Sequence, residues 1–321
     1  MNKIACICFC LLFFSGFFFP QAMEISAQEQ PAPYPNSHFI VIDSVRIHYR
    51  SWNEDPAHAR GNVLLIHGFC GSTFCYRENT ALLAEAGYRV VAVDVPGFGY
   101  SGRNLVNQSF SNRARILWDL IRAIDPDGSS RWNITGHSMG GGIAEAMALM
   151  EPGRTKSLTL IDGMVFLENQ DLSGAFVTSA RMKGIDQMYA FIFSNVIISE
   201  SAVRRFLRNV YGYAPDSTVV EGYYRPLLTE GTAQSVITMF ARSKEIVPLN
   251  ASGLKEVPVL VIWGKKDRTI RMRTGKKFKR HVPTVNLRVI PKAHHSPMET
   301  HPELFNSLYM EFLDNVNKSI P

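Results

Sequence analysis

The residues with the clearest chemical potential lie in Asn133-Ile-Thr-Gly-His-Ser-Met-Gly-Gly-Gly-Ile143, which contains Gly136-His137-Ser138-Met139-Gly140. This G-x-S-x-G spacing is that of a nucleophile elbow, a sharp strand-to-helix turn that lifts a serine hydroxyl above the edge of a sheet. Such a turn demands strained backbone angles at the serine. It also demands residues without side chains two positions away on either side, so that strand and helix can pass closely. A serine hydroxyl becomes a useful nucleophile only when a base within hydrogen-bond reach takes its proton. The imidazolium formed when that base is histidine needs a carboxylate to fix its tautomer and charge. Two stretches supply these types: Trp263-Gly264-Lys265-Lys266-Asp267 and Ala293-His294-His295-Ser296-Pro297.

The positioning elements are legible as apolar runs and periodic segments. Residues 63–66 form a continuous apolar run of the kind expected of a strand buried on both faces, and 89–93, 131–135, 157–161 and 257–263 read as further strands. Residues 39–42 and 45–49 pair around the turn Asp43-Ser44, and 286–290 is a last strand. Helices are predicted over 76–86, 110–124, 139–150, 271–281 and 302–316. This alternation predicts an α/β fold, a mostly parallel twisted sheet flanked by helices. Ser138, Asp267 and both histidines then fall at the carboxyl ends of strands, where open α/β sheets collect their functional groups. The rhythm breaks between 164 and 252, where aromatic-, methionine- and arginine-bearing segments read as helical. The expected organisation is therefore a core of 38–163 and 253–321 with a helical cap of 164–252.

The N-terminus reads differently. Lys3 precedes an apolar run from Ile4 to Phe19, short for a membrane span and suited to a secretory signal. Residues 1–27 are expected to be a signal peptide, cleaved before Gln28, and the proline-bearing 28–37 to be a linker. The expectation is a periplasmic or secreted protein, with an uncleaved membrane anchor as the alternative. Cys6, Cys8 and Cys10 leave with the signal, so Cys70 and Cys75 remain, either free or bridged.

With 321 residues, 46% hydrophobic and 19% charged, the chain can bury a large core, which excludes wholesale disorder. A net charge of +6 permits an anionic partner. No nucleic-acid motif accompanies it, so nucleic acid is not an expected partner. Membrane contact would come only through an uncleaved N-terminal segment or the basic 265–280 stretch. The remaining histidines show no metal-ligand spacing and no dinucleotide fingerprint follows a strand, so neither metal nor cofactor is expected.

Taken together, His67-Gly68-Phe69, the loop from Asp94 to Ser101, the elbow, Trp263 to Asp267 and the histidine region resemble the α/β-hydrolase superfamily. The resemblance is to its cap-bearing serine hydrolases with a Gly-His-Ser-Met-Gly-Gly elbow, and it spans about 39–312. It implies Ser138 as nucleophile, His295 as general base, Asp267 as the acid orienting it, and an oxyanion hole from the backbone N–H groups of Phe69 and Met139. His294 is the alternate histidine; the Pro297 and Pro302 spacing favours His295. Asp162, at the end of another strand, is the alternate acid. The implied activity is hydrolysis of a small or medium acyl ester, carboxylesterase- or lipase-like. The same triad also serves carbon–carbon, thioester or lactone hydrolases and acyltransferases. A catalytically silent binding protein on this scaffold is the reading from another class.

Overall fold

The structure is a computed structural model and describes residues 32–55, 59–128, 130–166, 198–242, 244–247 and 249–319. The chain divides into two units, Met1–Pro33 and Tyr34–Pro321, and the fold described is that of the second. The expected signal peptide 1–27 and the first residues of the linker lie outside the described residues. Among the described residues no helix is long and apolar enough to cross a membrane.

The strands are β1 (Ser37–Ile42), β2 (Val45–Trp52), β3 (Asn62–Ile66), β4 (Arg89–Val93), β5 (Trp132–His137), β6 (Thr155–Ile161), β7 (Val259–Gly264) and β8 (Asn286–Ile290). They form one sheet in the order β1-β2-β4-β3-β5-β6-β7-β8. β2 pairs antiparallel with β1 and β4, and the remaining neighbours are parallel. The two-residue period of a strand sorts its side chains to opposite faces. Leu64 and Ile66 face a core shared with α2 (Phe110–Ile124) and α3 (Met139–Met150). Val63 and Leu65 face the other core, with α1 (Thr80–Glu85). The order of strand addition reverses at β3, since β4 is added on one side of it and β5, also parallel, on the other. Open α/β sheets collect their functional groups at such a switch, at the carboxyl ends of the strands.

Two local departures from the sequence reading have physical causes. The helix expected over 76–86 is a 3-10 turn at Thr73–Tyr76 followed by α1. The break falls at Asn79, whose side-chain amide donates to Met298 C=O at 3.0 Å and Asn306 Oδ1 at 2.9 Å. β5 runs two residues beyond Thr135, because Gly136 and His137 stay in register with Leu160 and Ile161.

Between β6 and β7 the described residues form α4 (Glu200–Tyr211), α5 (Ser217–Leu227) and α6 (Thr232–Arg242), without a strand. Side-chain caps start the first two: Ser199 Oγ accepts the Ala202 N–H and Asp216 Oδ1 the Val219 N–H. The apolar faces of α4 and α5, with Leu207, Tyr211, Val220 and Tyr223, join the second core. The ends of this insertion meet: Ala251 N–H donates to Phe166 C=O at 3.0 Å, and Phe166 N–H to Glu145 Oε2 of α3 at 2.9 Å. After β7 come α7 (Arg273–His281), α8 (Pro297–Thr300) and α9 (Pro302–Ser319). Cys70 and Cys75 are both free thiols.

At the crossing of β3, β5 and α3, backbone approaches backbone without room for a side chain. A Cβ on Gly136 would run into the Gly140 carbonyl, and one on Gly140 into the carbonyls of Ile66 and His67. Those obstacles are backbone, so they cannot rotate away. Gly140→Ala should therefore destabilise the chain by about 3 kcal/mol or more, read as a fall in the urea midpoint; a loss within 1 kcal/mol would show that the crossing can relax.

Candidate active site

Ser138 stands between β5 and α3 with φ 53 and ψ −119, a conformation that L-residues rarely adopt. Its backbone is fixed on both sides: the N–H donates to Ile161 C=O at 3.0 Å, and its C=O accepts from Gly141 at 3.0 Å and Met164 at 2.9 Å. The strain is thus held by neighbouring strands. The hydroxyl Oγ lies 2.9 Å from His295 Nε2, and His295 Nδ1 lies 2.8 Å from Asp267 Oδ2. A carboxylate only accepts, so Nδ1 carries the proton and Nε2 is left to accept from the serine. Asp267 Oδ1 takes the Thr269 and Ile270 N–H groups at 2.7 and 3.1 Å, which locks the carboxylate plane. Both Asp267 and His295 are buried. Ser138, His295 and Asp267, from three distant parts of the chain, are brought into one hydrogen-bonded row.

Backbone bonds hold the histidine loop as firmly as the ring bonds hold its side chain. His295 N–H donates to Val210 C=O, in the last turn of α4, at 2.9 Å. His295 C=O accepts from His137 Nε2 at 2.7 Å. Burial and the neighbouring His295 depress the His137 pKa to about 3, so it stays neutral as a donor. His67 braces the other wall: Nε2 accepts the Val95 N–H at 2.9 Å, leaving Nδ1 to donate to Gly68 C=O at 2.7 Å.

The alternates and the residues expected to form an oxyanion hole lie nearby. Asp162 is buried at φ 43, and its Oδ1 accepts the Gly264 N–H at 2.8 Å. Ligand atoms of Asp162, Asp267 and His295 lie within 4.8 Å of one another, but the bond to His295 is made by Asp267. Burial, then the adjacent Asp267, pushes the Asp162 carboxyl well above the ordinary carboxylate range, which favours its protonated form. His294 is half-buried, and its Nδ1 meets no hydrogen-bond partner among the described residues. Met139 opens α3, so its N–H is one of the first-turn donors without an intrahelical acceptor. The 67–69 segment passes directly beside the serine: a Cβ on Gly68 would lie 2.9 Å from Ser138 Cβ. Phe69 is half-buried, edge-on to Phe98 at 5.5 Å.

The aromatic residues of the insertion are of the type that can wall an apolar pocket. Tyr189, Phe191 and Phe193 lie outside the described residues, and Tyr213 is exposed. Tyr211 and Tyr223 are buried, and both hydroxyls donate to Glu299, at 2.7 Å each. Sequence reasoning missed Glu299; the only signal for it is an acid one turn behind the histidine, indistinguishable from an ordinary helix-start acid.

Residues 61–302 match the family described as the alpha/beta hydrolase fold. The chain belongs to that family. It is 26% identical over 279 residues to the uncharacterized hydrolase YugF of Bacillus subtilis, covering 85% of this chain and 96% of that protein. It is 28% identical over 285 residues to a 2-hydroxy-6-oxononadienedioate/2-hydroxy-6-oxononatrienedioate hydrolase of Burkholderia vietnamiensis, covering 84% and 91%. Among solved structures, a probable hydrolytic enzyme of Pseudomonas aeruginosa superimposes with TM-score 0.70 at 24% identity, over 88% of this hydrolase and 95% of that chain. A thermophilic esterase of Thermogutta terrifontis gives 0.67 at 22%, over 88% and 99%. At these identities the structural likenesses establish the fold.

The two carboxyls of this hydrolase should separate in both activity and pH behaviour. Asp267→Asn should lower turnover by about 10⁴-fold, since the wrong tautomer then faces the serine, whereas Asp162→Asn should retain most of it. Folded Asp162 keeps its proton at pH values where the unfolded chain has released it, so stability falls as pH rises from the ordinary carboxylate range through the raised value. Asp162→Asn cannot titrate; its melting temperature relative to wild type should rise across that window, and a constant offset would contradict a protonated Asp162.

Proposed function

We propose that this hydrolase cleaves a carboxylic ester through an acyl-enzyme formed on Ser138. The observation that carries the reading is the row Ser138 Oγ–His295 Nε2 at 2.9 Å and His295 Nδ1–Asp267 Oδ2 at 2.8 Å, mounted on a strained elbow. His295 takes the serine proton as Oγ bonds to the acyl carbon, and the carbonyl electron pair moves to its oxygen. The N–H groups of Met139 and Phe69 are assigned to that oxyanion; one such donor is worth about 3–4 kcal/mol of barrier in well-measured cases. His295 then gives its proton to the departing alkoxide, and the ester C–O bond breaks. Water repeats the sequence against the acyl-enzyme, releasing acid and restoring Ser138. Residues 164–252 are assigned the role of a cap over this site, and its unassigned side chains that of selecting the acyl group.

A second reading is favoured by one observation, the Burkholderia relative, whose named substrate is an oxo-dienedioate with no ester. The same row of residues would then hydrolyse a carbon–carbon bond flanked by carbonyl groups. Export is proposed from the apolar 4–19 run, with release as the simplest outcome. The exposed cations between 265 and 280 make attachment to an anionic membrane surface the alternative.

A substrate panel decides between the readings. Esters of graded acyl length and a 2-hydroxy-6-oxo-dienedioate should be compared on wild type and Ser138→Ala. The proposal expects ester turnover that falls by about 10⁴- to 10⁶-fold in Ser138→Ala with unchanged thermal unfolding. Turnover of the dienedioate alone would replace the ester reading with the second one, and no Ser138-dependent turnover of either would leave the silent binding protein.

A further inference from the structure

Glu299 is a fully buried acid that the reaction scheme does not use. It lies four residues after His295, in α8, and its side chain is 0% exposed. Its Oε1 accepts the Tyr223 hydroxyl at 2.7 Å; its Oε2 accepts the Tyr211 hydroxyl at 2.7 Å and pairs with Arg77 Nη1. Three otherwise separate parts of the fold meet on this one carboxylate. Tyr211 ends α4 and Tyr223 sits within α5, so both hydroxyls come from the insertion. Arg77 follows the 3-10 turn Thr73–Tyr76, the segment that leads away from Phe69 and Cys70. Glu299 itself belongs to the loop and helix behind His295.

A second fastening lies beside the first. Val210, the neighbour of Tyr211, receives the His295 N–H at 2.9 Å, so residues 210 and 211 of α4 grip residues 295 and 299 together. The α4 end is also shaped to this loop: Gly212 closes the helix at φ 79, and a Cβ there would run into the His294 ring. On the other flank, Arg77 lies over the Phe74 ring at 4.5 Å, and Phe74 meets Tyr223 edge-on at 5.9 Å. The Asn79 amide ties the same flank to Met298 C=O, next to Glu299.

We propose that Glu299 is a positioning residue that locks α4 and α5 of the insertion to the His295 loop, so that the seating of the His295 ring against Ser138 depends on the Tyr211 and Tyr223 hydroxyls. The inference rests on the triad reading above. A cap that merely covered a pocket would need apolar contact with the core; it would have no reason to bring two phenol donors and a guanidinium to one buried carboxylate. Such a carboxylate is costly to bury unless every oxygen is satisfied, so losing one hydroxyl leaves an acceptor that must find another partner by moving. The element coupled to that acceptor is the His295 loop, whose His295 N–H is held by Val210 of α4. Displacement there acts directly on the 2.9 Å bond to Ser138, and misplacement by about 1 Å costs on the order of 100-fold in rate.

The test separates seating from simple stability. Tyr211→Phe, Tyr223→Phe, their double variant and Glu299→Gln are compared with wild type and with Tyr213→Phe, an exposed tyrosine at the same helix end. The rate of Ser138 modification by diisopropyl fluorophosphate is measured well below each melting temperature. This small probe reports serine reactivity without demanding a fitted acyl group. Tyr211→Phe and Tyr223→Phe should each slow labelling by about 10-fold and the double variant by about 100-fold, with Tyr213→Phe at the wild-type rate. The low-field proton resonance of His295 Nδ1–H should shift or broaden in the same variants, a readout that needs no catalysis. Wild-type labelling rates and an unmoved resonance in the folded tyrosine variants would overturn the proposal, even if melting temperatures fall, and would leave the triad reading intact. Failure of the wild type to label at Ser138 would remove that reading and this inference with it. Should Glu299→Gln not fold, the tyrosine variants decide alone.

Discussion

The close approach of backbone to backbone around Ser138 is the constraint on which the other features depend. Gly140 packs against the carbonyls that end β3, and Gly136 against Gly140 itself, so the turn at Ser138 has no room to relax. The serine consequently takes a left-handed conformation and projects its hydroxyl at the switch between β3 and β5. The same crowding brings the 67–69 segment beside the serine and starts α3 immediately behind it. The strained serine, the adjoining 67–69 segment and the start of α3 thus share one steric constraint. A residue with a side chain at either glycine would remove all of them together.

Around that fixed point the histidine is the adjustable part, and the fold uses much of its hydrogen bonding to hold it. The His295 ring is bonded to Ser138 and Asp267, its carbonyl to the elbow through His137, and its N–H to the insertion through Val210. Fixed donors and acceptors in a buried site avoid reorganisation during reaction, which is where much of the catalytic effect of such sites resides. The insertion is therefore joined to the chemistry as well as to the second hydrophobic core. Asp162 fits the same design: within 4.8 Å of Asp267, burial and that neighbour both favour its protonated form.

Much of this was readable before any coordinates. The central strands β3, β4 and β7 announce themselves as largely apolar runs, because strands buried on both faces must be apolar. Gly136-x-Ser138-x-Gly140 encodes its own geometry, since the glycines are the turn's steric requirement written in sequence. Asp267 and His295 were identifiable from the loops that follow strands, and the structure brings both to Ser138. The order β4-β3-β5 was not legible, because local periodicity carries no record of which strand a chain crosses. Glu299 was not legible either. Its partners lie 76, 88 and 222 residues away, beyond the reach of any local pattern. The break at Asn79 has the same origin, a side chain committed to a partner more than 200 residues distant.

The central claim is that Ser138 becomes covalently acylated. Rapid mixing of the hydrolase with an activated ester, acid quenching and mass spectrometry of the digested protein test it directly. The account predicts a burst of product equal to the enzyme concentration and an acyl adduct on the peptide containing Ser138. A burst whose adduct maps to another residue, or steady turnover with no adduct at any time point, would contradict it.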